Sequence, residues 1–201
     1  MLALVLPWLA LAGCPRKAPG LPAAPPGMVL AYSEALGIRV SYDPSLFTTV
    51  EQRADAEFPL RFLGESYSLG IKRLGRVGAM LAKPPGTDFF VFYAQQVRYD
   101  LIEGCGLKPL EPEVNEEFTA QGAPGLRQVL HFQNPEDPKT VPRFAPPEPG
   151  AEFYLYYHHF YYEPDYYFFV AVSRRELTEE EKAGIIAFID RTQFGAQPTE
   201  E

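Results

Sequence analysis

The sequence predicts an α+β domain, and three of its features predict it. Short stretches of alternating apolar and polar residues end in Gly, Pro, Asp or Ser, the pattern of half-buried strands joined by tight turns. The run Phe153–Phe169 has Tyr or Phe at eleven of seventeen positions and is broken once, by Glu163-Pro164-Asp165. Aromatics favour strands, and Pro at the second position of a turn closes two of them into an antiparallel pair. Close to the end of the chain, Thr178 and Glu181 stand three apart ahead of an apolar run, the spacing of a helix capping box.

The domain is expected over residues 28–195, followed by a tail at 196–201. Gly37-Ile38-Arg39-Val40-Ser41-Tyr42 alternates as a half-buried strand, Asp43-Pro44-Ser45 turns the chain, and Leu46–Val50 begins a second extended piece. Phe58–Leu63 and Ser68–Leu74 predict two more strands around Gly64-Glu65-Ser66. Gly70, Gly75 and Gly78 crowd the end of that segment and favour bends or bulges. After Pro84-Pro85-Gly86, Thr87 or Asp88 can cap a helix in which Phe89, Phe92, Tyr93, Val97 and Leu101 share a face. Phe89–Tyr93 alone also suits a buried strand, and the longer spacing favours the helix. Glu117–Gln121 and Leu126–Phe132 flank Gly122-Ala123-Pro124-Gly125, predicting a hairpin centred on those four residues. Asn134–Gly150 holds six prolines in seventeen residues. A connection that long and irregular is usually functional or disordered. The last helix starts at the Thr178/Glu181 capping box, presents Ile185, Phe188 and Ile189 on one face, and can end at Gly195.

The amino terminus states an address. Leu2–Ala12 is an uncharged, nearly all-apolar run of eleven residues. That is too short to span a membrane, which takes roughly 20 residues, and it has the length of a signal-peptide h-region. Met1 is followed directly by Leu2, so either the true start lies upstream or the Met1 amine is the only n-region charge. Residues 15–27 contain five prolines and charge only at Arg16 and Lys17. Such a segment tends to extended polyproline geometry, and thirteen residues of it reach about 40 Å. Ala10-Leu11-Ala12 is also an A-x-A cleavage site, which keeps plain secretion open, and a buried helix of a cytosolic domain is the third alternative.

Composition narrows the partners. The chain of 201 residues has a formal net charge of −8 and no Lys/Arg block. This excludes phosphate-neutralising nucleic-acid binding and adhesion to anionic lipid by a polybasic patch. Residues 58–99 are locally basic and residues 103–117 locally acidic; a solvated face is the ordinary explanation, and a partner surface the sharper one.

The candidate chemistry is sparse, and no cofactor, metal or catalytic set is expected. Gly64-Glu65-Ser66-Tyr67-Ser68 misses the second glycine of a nucleophile elbow, and a hydrolase using Ser66 would need a base from His131, His158 or His159, with Ser66, Asp137, His158 as one possible order. A metal site would have to join His131, one of His158 and His159, and Glu163, although adjacent strand residues point to opposite faces. No zinc spacing, phosphate-cradling loop or calcium loop occurs. The aromatic hairpin is the best candidate binding surface, through Tyr154, Tyr156, His158, Phe160 and Tyr162, because tyrosine gives rigid amphipathic contact area for a protein partner. The alternative is a strand buried on both faces with the proline-rich loop as its lid. Cys105 is expected as a small buried hydrophobe.

Two resemblances add to this. Leu11-Ala12-Gly13-Cys14 resembles the lipobox of bacterial lipoproteins, which implies cleavage before Cys14, diacylation of its sulfur, and a membrane anchor on the extracytoplasmic side. Pro15 does not resemble the aspartate inner-membrane retention signal, so the outer membrane is favoured. Residues 14–27 would then be a lipidated tether and residues 1–13 its signal peptide. Within the domain, Gly37–Phe47, with its strand and aromatic-x-Pro turn, resembles the opening of PsbP-like domains. The aromatic hairpin, capped helix and Phe194 resemble their close. That resemblance implies an antiparallel sheet with helices packed on it, an α/β sandwich, and binding or assembly roles; the proline-rich insertion departs from it.

Overall fold

The computed structural model describes residues 24–76, 88–137, 144–146, 148–163 and 165–195. Residues 1–13, Cys14, most of the tether, part of the proline-rich connection and the tail at 196–201 lie outside the described residues.

Eleven strands and two α-helices form in these residues. In order they are β1 (Val29–Ser33), β2 (Ile38–Tyr42), β3 (Thr49–Gln52), β4 (Leu60–Leu63), β5 (Ser68–Arg76), α1 (Phe89–Tyr99), β6 (Lys108–Pro109), β7 (Val114–Ala120), β8 (Ala123–Gln133), β9 (Glu152–Tyr162), β10 (Asp165–Ser173), α2 (Glu179–Asp190) and β11 (Gln193–Phe194). One sheet has eight strands in the order β3-β4-β5-β10-β9-β8-β6, with β7 also paired to β8; a smaller sheet has the order β1-β2-β11. Every pairing is antiparallel, so the α+β class and its antiparallel sheet are those expected.

The period of two along each central strand splits the core in two. Tyr156, Phe160, Tyr167, Phe169 and Ala171 join Ile185, Phe188 and Ile189 of α2 and the small sheet's Ala31, Ile38 and Val40 on one face. Phe153, Leu155, Tyr157, Tyr166, Phe168 and Val170 join Tyr93 of α1, Leu101 and Ala145 on the other. The large sheet is therefore covered on both faces, which is why its central strands are continuous apolar runs rather than alternating ones.

Local chemistry sets the ends of these elements. Asp88 caps α1 by accepting from the backbone N–H groups of Phe90 and Val91 at 2.9 and 3.1 Å. The helix runs on into a π-helical turn over Asp100–Gly104, where the N–H of Cys105 reaches the carbonyl of Asp100 at 3.1 Å. The capping box at Thr178 and Glu181 forms as expected. Three expectations change. The β7–β8 hairpin turns at Gln121-Gly122, with φ of 51° and 73°, and residues 123–125 belong to β8. Two left-handed residues make the tight turn that matches strand twist, so no longer loop is needed. Helix α2 ends at Asp190, where the Thr192 hydroxyl donates to the Phe188 carbonyl at 3.0 Å, so Gly195 lies beyond the stop. The extended piece after Pro44 starts at Thr49 rather than Leu46, because the N–H groups of Leu46 and Phe47 close a turn onto the Asp43 carbonyl. The glycine cluster does mark a bulge, at Leu74, where Gly75 and Arg73 face consecutive residues of β10.

Candidate functional site

The residues expected to present a binding surface lie on β9, on the face toward α2. Tyr156, His158 and Phe160 are completely buried there, which corrects the expectation that they form an exposed tyrosine face. The reason is coverage: α2, Phe118 of β7 and the small sheet lie over that side of the strand. The Tyr156 hydroxyl accepts from the N–H of Leu177 at 2.8 Å, fixing the approach to α2. Tyr154 is half-buried and stacks on His131 with centroids 4.0 Å apart. Only Tyr162, at the tip of the hairpin, is exposed, at 40%. Its ring stacks on Phe194 at 4.6 Å and, with Leu30 and Pro25, lines an open recess that also reaches Gln121 and Arg191.

The histidines are structural in their geometry. His159 faces α1, and its Nε2 and Nδ1 meet the Gln128 Oε1 at 3.1 Å and the Tyr166 hydroxyl at 3.0 Å. Gln128 in turn donates through Nε2 to the Ala94 carbonyl in α1 at 2.8 Å. One consistent assignment satisfies every group: Tyr166 donates to Nδ1, Nε2–H donates to Gln128, and the ring is neutral. Burial pushes the His159 pKa down to about 3, reinforced by His158. His158 faces α2 with its Nδ1 3.3 Å from the Phe169 carbonyl and its Nε2 without a partner. Burial, with Arg127 nearby, lowers its pKa to about 3 as well. Gln128 went unnoticed in the sequence, though its position showed it: Leu126, Gln128, Leu130 and Phe132 share one strand parity, and Gln128 is the polar member.

The residues considered for hydrolysis or metal binding sit on different elements. Ser66 is exposed in the β4–β5 turn, and its carbonyl accepts from the Ser173 hydroxyl at 3.2 Å. His131 sits on β8 between Glu111, at 3.4 Å, and Glu152, at 3.9 Å. The two buried histidines have their polar contacts to Phe169, Tyr166 and Gln128. Among the described residues no three His, Cys, Asp or Glu side chains group as a metal site. Cys105 is half-buried beside the α1-side core, and burial raises its thiol pKa first, with Glu57 and Asp100 adding to it.

Fold and site together define the class: an α+β protein whose large antiparallel sheet is buried on both faces. No family model matches the chain, and no curated protein matches it. Among solved structures, the solution structure of cyanobacterial PsbP (CyanoP) from Synechocystis sp. PCC 6803 is similar to it at 7% identity and a TM-score of 0.47, over 89% of this chain and 97% of that one. Among the described residues no helix is long and apolar enough to cross a membrane.

Proposed function

We propose that this protein is an extracytoplasmic lipoprotein, held to a membrane by acyl chains on Cys14, that acts as a non-enzymatic binding or assembly module. The observation that carries this reading is the lipobox Leu11-Ala12-Gly13-Cys14 at the end of an eleven-residue apolar run. Two or more acyl chains hold firmly, at roughly 0.8 kcal/mol per buried methylene, where one chain holds only reversibly. Working by binding suits a domain two of whose three histidines, His158 and His159, are fully buried in its core. The recess of Tyr162, Phe194 and Leu30 is the surface we assign to a protein partner, since exposed apolar area rimmed by polar groups marks interaction sites. Pro25, leading back toward Cys14, lines the same recess.

Metabolic labelling with an alkyne palmitate analogue, followed by membrane fractionation, tests the anchor. Wild-type chain should carry label and pellet with membranes, whereas Cys14→Ser should lose both. Equal labelling of the two, or an unlabelled wild type, would refute it.

A further inference from the structure

The chain enters the domain at the Tyr162 recess. The described residues begin at Ala24, and the next one, Pro25, lines the recess together with Leu30, Tyr162 and Phe194. The recess is open and encloses about 610 Å³ between the small sheet, the tip of the β9–β10 hairpin and the end of α2. A turn follows at once: the Met28 N–H donates to the Pro25 carbonyl at 3.0 Å, and Gly27 has a φ of 79°. Pro followed by a left-handed Gly at the two central positions is the signature of a type II turn. Such a turn reverses the chain, so the segment that reaches Pro25 approaches antiparallel to β1, whose second residue is Leu30 of the recess.

The sequence of that segment suits the wall it meets. Pro19, Pro22 and Pro25 recur at every third residue. Polyproline geometry has three residues per turn, so the three rings make one ridge with a step of about 9 Å. Such ridges dock on aromatic-lined grooves, because a preformed helix has little entropy left to lose. Here the wall is the Tyr162 ring stacked on Phe194, with centroids 4.6 Å apart and planes 20° from parallel. Tyr162 and Leu30 are 40% and 38% exposed, so the wall is open to an occupant. Polyproline carbonyls have no internal hydrogen bonds and take donors from outside. Gln193 is exposed, lines the recess and carries such a donor in its side-chain amide.

We propose that the Pro19–Pro22 stretch of this chain's own tether docks in the recess, extending the ridge that Pro25 begins, and so covers the partner surface of the free protein. The inference rests on the assignment of that recess to a protein partner and adds its regulation: the partner gains the site by displacing the tether. A segment joined to the domain at Pro25 meets the recess at an effective concentration in the millimolar range, so a weak contact is enough to hold it. Release restores the tether's full reach of about 40 Å.

The test is fluorescence anisotropy of a labelled peptide of residues 15–27, titrated with the full chain in detergent. A chain carrying Pro19→Ser and Pro22→Ser has lost the ridge and should bind the peptide saturably. Wild type should bind it about tenfold more weakly, because its own tether competes for the recess. Adding Tyr162→Ala to the substituted chain should remove binding, and Leu30→Arg, at a second exposed wall position, should do the same. No saturable binding to the substituted chain below roughly 10 mM, equal binding to both chains, or binding indifferent to Tyr162 and Leu30 would overturn the proposal. Equal binding would overturn tether docking while leaving the recess a partner surface. The same titration with chains that carry Cys14→Ser should give the same contrast, which separates this result from that of the acyl anchor.

Discussion

His158 and His159 are adjacent in one strand and enter opposite cores, and that single step decides what each costs. His159 has every polar atom matched by Tyr166 and Gln128, whereas His158 leaves Nε2 unmatched. Replacing His159 by Leu strands the Gln128 and Tyr166 groups and should destabilise the fold by about 2–4 kcal/mol. Replacing His158 by Leu removes an unmet donor or acceptor of similar volume, and should be neutral or stabilising. Urea unfolding of both variants checks the contrast; equal losses would contradict it. The pH dependence follows from the same burial. The unfolded chain takes up a proton on each ring near pH 6.5, while the folded chain resists protonation down to about 3. Stability is therefore full above pH 6.5 and falls as pH drops toward 3, by at most about 1.4 kcal/mol per pH unit for each histidine. Urea midpoints measured at pH 7 and pH 5 should show this, with about half the slope lost in His158→Leu.

At the scale of elements, the helices are held by groups that are legible in sequence and by one that is not. Asp88 and the Thr178/Glu181 pair cap α1 and α2 where the sequence places them, because capping is a local, fixed-spacing interaction. Thr178→Ala should cost about 1 kcal/mol, seen as a lower thermal midpoint. The hydrogen bond from Arg175 holds the Glu181 carboxyl down at about 2, so its contribution is present above the ordinary carboxylate range and is lost as pH falls through about 2. The end of α2 depends instead on Gln121, 69 residues away in sequence from Asp190. Its side chain donates to the carbonyls of Ile189 and Asp190 at 3.0 and 3.3 Å, and to that of Thr192. Its own N–H donates to the Asp190 carboxylate at 2.5 Å. Gln121→Ala should cost about 1–2 kcal/mol, more than a surface substitution, because it leaves helix-end carbonyls unmet. A thermal midpoint unchanged from wild type would show that these contacts carry nothing.

Across the whole molecule, the two-sided sheet makes β9 and β10 the structural centre rather than the exposed face. Phe160→Ala should cost about 3–5 kcal/mol through lost burial and a residual cavity, while Tyr162→Ala two residues on should cost under about 1 kcal/mol. Chemical denaturation of the pair distinguishes a core strand from a surface one within a single hairpin. The period of two along residues 153–169 correctly separated the faces but could not say which was covered. Both parities are aromatic, and the cover comes from α2, β7 and the small sheet, which are remote in sequence. For the same reason β1 and β6 escaped notice: each is short, and each exists by pairing with a partner elsewhere, β1 with β2 and β6 with β8. By itself, then, the sequence determined what spacing and local chemistry encode: an α+β chain of hairpins, two capped helices, an aromatic pair of strands around residues 163–165, and a lipobox at Cys14 as an expectation. Only the tertiary structure decided which aromatics are core, which histidine is satisfied, and where recesses open. Those properties depend on what packs against a residue, and contacts between distant segments leave no periodic trace in either of them.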